Sequence, residues 1–378
     1  SIFLKTVLAT VLFISTYYIL FPVLPLYIQA LGVNKFQIGL IMGIFSISSL
    51  ILRPISGQLV DVHGRKKVML LSILVYLVTP FLYFLGANLV VLCLIQVIYG
   101  FAMGSYTTSA TTYISDIAPR ENLATILGWF SIALITAKGI APALGTYLFK
   151  TTNFIFIIWL SWALALVALF TVSRLKELGK EEAIKETSTL PYLQIITSPV
   201  ILLPTITLFS GLISFGVISV MLPLFAQSRG IENIEVFFVI NTATVIATRL
   251  LTGWTKQKHL PHLVITAMGL LIVSLILMSF VTTFQHLILV GLIYGLGYGI
   301  LYPALSALVV LYVPFNQKGA ALGFFTAAFD LGVSGGTILG GLSEYIDFVY
   351  VYRLAALIPL AGLGVFVMKY MPLLREDM

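Results

Sequence analysis

The sequence predicts an all-α membrane protein of twelve transmembrane helices, arranged as two six-helix repeats related by a pseudo-two-fold axis along the membrane normal. Three observations carry this expectation: an excess of apolar residues, twelve apolar runs of spanning length, and a second half that copies the first. Of 378 residues, 60 % are hydrophobic and 9 % charged, against roughly 45–50 % and 25 % in soluble domains. Mean hydropathy is +1.07, too apolar for a surface covered by water. A helix needs about 20 residues to cross hydrocarbon, so twelve crossings use about 240, close to the roughly 227 apolar residues that 60 % of 378 implies.

The runs follow in order, each apolar nearly all round as lipid requires. Residues 4–30 hold Tyr17 and Tyr18; 36–59 close on Arg53 and a polar loop; 68–87 carry no charge. Residues 89–115 contain Cys93, Gln96, Tyr99, Met103 and Tyr106, 123–149 enclose Lys138, and 154–173 are the most apolar of the first half. Residues 174–194 then bring eight charges, marking a tether between an N-terminal bundle (1–173) and a C-terminal bundle (198–378), with 174–197 as the linker. The second set runs 198–226, 234–254 with Arg249, 262–281, 287–313 with Tyr294, Tyr298 and Tyr302, 319–343 with Asp330, and 350–372. The chain starts within an apolar run and without an initiator Met, which points to trimming at that end.

Catalysis has no visible constellation. The single Cys93 has no partner for an internal disulfide, and His63, His259, His262 and His286 lack metal-ligand spacing. No enzyme activity, metal or cofactor is therefore expected. The net charge of +7 is spread over loops instead of one face, which argues against nucleic acid as a partner.

Lysine and arginine placement sets orientation. With the N-terminus inside, the inner loops collect Lys5, Arg65, Lys66, Lys67, Arg120, Arg174, Lys176, Lys180, Lys185, Lys256, Lys258, Lys318, Lys369 and Arg375. The outer side has Lys35, Lys150, Arg229 and Arg353. Both termini and the linker are expected in the cytoplasm.

At an offset near 195 the halves match. Ile98-Tyr99-Gly100 with Gly104 meets Ile293-Tyr294-Gly295 with Gly299, and Leu127-Gly128-Trp129-Phe130-Ser131 meets Leu322-Gly323-Phe324-Phe325-Thr326. Leu24-Pro25-Leu26-Tyr27 answers Leu222-Pro223-Leu224-Phe225, and Arg53 four before Gly57 answers Arg249 four before Gly253. Six spans per copy give both copies the same orientation, with the substrate site near the midplane between them.

Between the second and third runs stands Gly57-Gln58-Leu59-Val60-Asp61-Val62-His63-Gly64-Arg65-Lys66-Lys67. With the repeat, this loop resembles that of the major facilitator superfamily over essentially the whole chain. Val62 stands where an arginine is usual. The resemblance implies a cytoplasmic gate built on Gly57, Asp61, Gly64, Arg65 and Lys66, latched while the protein faces outward. An ion pair that water can solvate suits repeated breaking, and the same cations set topology. The second-half loop, Gly253 to Lys258, lacks the aspartate and second glycine, so the strong latch is expected only in the first half. Gly139-Ile140-Ala141-Pro142-Ala143-Leu144-Gly145 is similar to the Gly-Pro-Gly signature of the efflux branch of drug:proton antiporters. Gln96 stands where those relatives carry arginine, and the first run has no acid.

Ionisable residues inside spans are costly and point to function. Asp330 lies near the middle of its run, where desolvation disfavours the charged form and suits reversible proton binding; a structural hydrogen bond is the alternative. Lys138 lies three positions beyond the residue aligned with Asp330 and is expected either to pair with it or to hold an anionic substrate group. Arg53 and Arg249, in the inner thirds of their runs, join the gate. The resemblance places the first, fourth, seventh and tenth runs around the cavity, giving Tyr17, Tyr18, Gln96, Tyr99, Met103, Tyr106, Tyr294, Tyr298 and Tyr302 as lining. Helix-to-helix packing is the other account of these tyrosines.

The expected function is secondary active export of a small amphiphilic molecule, anionic or zwitterionic in its polar part, by proton-coupled alternating access. The partners are this substrate, protons and lipid, with the protein a monomer in the cell membrane. Proton-coupled uptake of an organic anion, or a non-transporting receptor that keeps the fold, are the alternatives.

Overall fold

The computed structural model describes residues 2–86, 88–119, 122–177, 197–252, 257–313 and 318–376, with no strand among them. Among the described residues every apolar run contains helix, and ten helical stretches are long and apolar enough to cross a membrane. The first half holds α1 (Ile2–Tyr18), α2 (Leu24–Ala30), α3 (Lys35–Ile51), α4 (Arg53–His63), α5 (Arg65–Val78), α6 (Leu89–Ile117), α7 (Leu123–Thr151) and α8 (Phe154–Ser173). The second holds α9 (Pro199–Arg229), α10 (Glu235–Thr252), α11 (Leu260–Met278), α12 (Phe284–Tyr312), α13 (Lys318–Gly341), α14 (Phe348–Val365) and α15 (Met371–Glu376).

The two runs outside the ten are broken by proline. Turns at 19–23, containing Pro22, separate α1 from α2, and a turn at Leu52, just before Arg53-Pro54, separates α3 from α4. Proline has no N–H to donate and clashes with the carbonyl four residues earlier. This leaves α1 and α3 at 17 residues each, short of the about 20 a full crossing needs.

Two compact units form, Ser1–Ala183 with Asn233–Val239 and Ile184–Glu232 with Ile240–Met378. Of the expected linker, only residues 174–177 and 197 lie within the described residues.

Side-chain caps close helix starts at one kind of turn. Asn34 accepts from Gln37 N at 2.8 Å, Asn88 from Val90 N at 2.9 Å, Asn153 from Phe156 N at 2.9 Å, Thr283 from His286 N at 3.4 Å and Asp347 from Val349 N at 2.8 Å. Each begins an even-numbered run of the sequence. Capping satisfies donors that lipid cannot.

Helices approach closely where side chains vanish. In the first unit a Cβ on Gly100 would strike Ser48 and the Phe45 carbonyl, and one on Gly104 would crowd Ser49, so α6 lies against α3. In the second unit Gly295 faces Asn241 and Thr244, and Gly299 faces Val245 and Thr248, so α12 lies against α10. A Cβ on Gly145 would strike the Ile19 carbonyl, so the Gly-Pro-Gly segment of α7 seats the chain just past the end of α1.

That contact leaves Gly145→Val no room. The variant is expected to lose about 1–3 kcal/mol of stability, as overpacking typically does. Gly128→Ala, where nothing lies within 4 Å, is expected to be neutral or slightly stabilising through helix propensity. Thermal unfolding of both variants in detergent is the check, and equal losses would contradict the packing account.

Candidate functional site

In the first unit the polar centre is built from α1, α3 and α6. The Tyr17 hydroxyl donates to Gln96 Oε1 at 3.1 Å, and Gln96 Nε2 lies 3.4 Å from Met42 Sδ. The Tyr17 ring stacks on Phe45 with centroids 4.1 Å apart and tilts against Tyr99 at 5.1 Å. Phe13 stacks on Tyr106 at 3.8 Å, and the Tyr106 hydroxyl sits 3.4 Å from Thr10 Oγ1. The Tyr76 hydroxyl donates to the Tyr99 carbonyl at 3.1 Å.

Tyr17, Gln96, Tyr99 and Tyr106 are 0 % exposed. The resemblance makes them cavity-lining; within this unit they are enclosed and their rings pack on neighbouring helices. Met103 is nearly as enclosed. The Lys138 ammonium on α7 lies 5.6 Å from the centroid of the Tyr18 ring, a cation–π geometry.

In the second unit the tyrosines of α12 differ by depth. Tyr294 is sealed, whereas Tyr298 and Tyr302 are half-buried. Tyr298 stacks on Phe215 of α9 at 5.2 Å and on Tyr294 at 5.9 Å. Tyr302 meets Phe325 at 5.6 Å and Phe329 at 6.2 Å, both on α13. Asp330, next to Phe329, is half-buried with Oδ2 enclosed. Arg249 of α10 is half-buried with Nε enclosed, and it interacts electrostatically with Tyr298 and Tyr302. It stands in the last turn of α10, against the tyrosine face.

At the loop between α4 and α5, Arg65 Nε binds Asp116 Oδ2 of α6 at 2.9 Å. Gly64 has φ 90°, a left-handed conformation that favours glycine. The start of α5 lacks a cap of its own; Glu177 Oε1 stands there, 3.4 Å from Lys66 N. A Cβ on Gly64 would strike this carboxylate. The Tyr113 hydroxyl donates to the Lys176 carbonyl at 2.9 Å, fixing the same stretch to α6. Gly57 has open space around it, and Arg53 is half-buried. The side chains of Asp61 and Pro54 and the whole of 253–256 lie outside the described residues.

The family model of the Major Facilitator Superfamily matches residues 6–282 and 258–377. The chain belongs to the major facilitator superfamily. It is 23 % identical over 370 residues to the staphylopine export protein of Staphylococcus aureus, covering 94 % of this chain and 93 % of that one. It is 24 % identical over 363 residues to multidrug resistance protein 2 of Bacillus subtilis, covering 92 % and 89 %. In fold it is similar to the nucleoside transporter NupG, with a TM-score of 0.81 at 15 % identity over 97 % of this chain and 99 % of that one. This superfamily member is thus a multi-pass membrane transporter of small molecules and not an enzyme, and these curated relatives are named for export and drug resistance.

Sequence reasoning missed Asp116, Tyr113 and Glu177. An acid closing the fourth run and another opening the linker were visible, but their partners are 51 and 111 positions away.

Gly64→Ala is expected to unseat Glu177, through the positive φ and the blocked approach together. Thermal stability should fall by about 1–3 kcal/mol. Glu177→Ala should recover part of it, because it removes the clash and leaves only the backbone strain. Melting curves of the two single variants and the double variant measure that coupling; strictly additive losses would refute the contact.

Proposed function

We propose that this transporter exports a small amphiphilic molecule with an anionic or zwitterionic head by proton-coupled alternating access. Two six-helix halves, 1–173 and 198–378 joined by 174–197, rock about a midplane site, in a monomer of the cell membrane with both termini in the cytoplasm. The observation that carries this is Asp330, a carboxyl inside a membrane span with one oxygen enclosed. Lipid penalises a fixed charge there, so taking up and giving back a proton is the chemistry such a group offers. Lys138, above the Tyr18 ring, supplies the cation for the substrate head. The export names of the relatives support the direction.

The loop of Gly57, Asp61, Gly64, Arg65 and Lys66, with Arg53 and Arg249, is assigned the cytoplasmic gate. Gly139, Pro142 and Gly145 are assigned to packing of the antiporter type. Uptake of an organic anion is the second reading, since Lys138 attracts an anion whichever way it moves.

In proteoliposomes, Asp330→Asn is expected to abolish transport driven by a pH gradient while leaving gradient-free exchange of substrate in place. Unchanged pH-driven transport rules out the carrier role. A screen of cationic, neutral and anionic compounds at two pH values identifies the substrates used, and a chain that moves none of them is a receptor. Lys138→Met is expected to weaken anionic substrates by about tenfold or more, as loss of a charged hydrogen bond does, and neutral ones little. Equal effects on both classes would remove Lys138 from the substrate site.

A further inference from the structure

Arg249 offers a second cation, and its setting is more specific than that of a gate residue. The contacts of Gly295 with Asn241 and Thr244, and of Gly299 with Val245 and Thr248, fix the register of α12 on α10. Continued by one further turn, that register brings Arg249 level with Tyr302. The end of α12 at Tyr312 is ten residues further on, about 15 Å along a helix axis. Arg249, in the last turn of α10, thus stands beside the interior of α12 and not beside its end.

Tyrosines stand beside it. Tyr298 and Tyr302 are the groups with which it interacts electrostatically, and their rings are held by Phe215, Phe325 and Phe329. Among the described residues, no acceptor lies within hydrogen-bond distance of the enclosed Nε. A guanidinium partly enclosed within a span is costly. It carries five donors in a planar fork that matches a carboxylate.

We infer that Arg249, flanked by Tyr298 and Tyr302, is a carboxylate-recognising subsite within the C-terminal unit. This rests on the transport reading above and narrows the substrate class to molecules bearing a carboxylate. The fork takes the two carboxylate oxygens in parallel, the tyrosine hydroxyls add donors at its edge, and the surrounding rings accept the apolar body.

The test is equilibrium binding to the purified full chain in detergent, with two matched pairs of probes: decanoate with decanamide, and benzoate with benzamide. Wild type is expected to prefer the acid of a pair. Arg249→Gln should weaken acid binding by about tenfold or more, the loss of charge-assisted hydrogen bonds, with little change for the amide. Arg249→Lys should fall between, since it keeps the charge and loses the fork.

No preference for either acid in wild type, equal losses for acid and amide, or full acid affinity in Arg249→Gln overturns the inference. Where Arg249→Gln does not fold, wild-type acid affinity in Arg249→Lys overturns it. Restoration of that affinity in Arg249→Gln by adding Asp330→Asn also overturns it, because the arginine then serves only to balance the aspartate. Binding is read without a gradient, so loss of proton coupling in Asp330→Asn leaves this result independent. Intact acid binding in Arg249→Gln beside abolished coupling in Asp330→Asn removes the subsite and keeps the exporter.

Discussion

Helices α6 and α3, and likewise α12 and α10, touch almost backbone to backbone, and the setting of the polar side chains inside each unit depends on that contact. Lipid provides no hydrophobic force between helices, so close packing and internal hydrogen bonds have to hold them. Glycines 100 and 104, and 295 and 299, supply the space. Once the backbones meet, register is fixed to within a fraction of a turn. Gln96 then falls beside Met42, and Arg249 falls beside Tyr298 and Tyr302.

The two units use this shared packing for different chemistry. In the first, every polar group of the centre is neutral: Tyr17, Gln96, Tyr99 and Tyr106 satisfy or stack on one another and on phenylalanines. A guanidinium at position 96 would be enclosed against Tyr17 and Met42 with no acid in α1, so glutamine is the residue this pocket tolerates. A cation of this unit stands on α7, where Lys138 rests over the Tyr18 ring. In the second unit the charges remain, with Asp330 on α13 and Arg249 on α10.

Much of the fold was legible because lipid imposes length. Runs such as 89–115 and 154–173 coincide with α6 and α8 almost to the residue, since an unsatisfied peptide group cannot face hydrocarbon. The breaks at 19–23 and Leu52 were not legible: proline is tolerated inside α7, α9, α12 and α14, and whether it interrupts a helix depends on what its neighbours satisfy. The site was legible by residue type and not by enclosure. Spacing puts Tyr294, Tyr298 and Tyr302 on one face, yet only packing by α9 and α13 decides that Tyr294 is sealed and the other two are not. Asp116 and Glu177 were hidden because their partners are fixed by the fold and not by local sequence.

The loop between α4 and α5 shows how one glycine can answer to several demands. Gly64 takes a left-handed turn, starts a helix without a cap of its own, and leaves space for the carboxylate of Glu177. Arg65, one residue on, is drawn to Asp116 on α6. Both acids belong to the same unit as the loop, so these contacts hold the loop's shape before any partner across the transporter is considered. For the gate proposed above, repeated opening needs a rigid edge on its own side, and one ion pair at the loop, weak singly, with a carboxylate on a backbone N–H gives that edge without locking it.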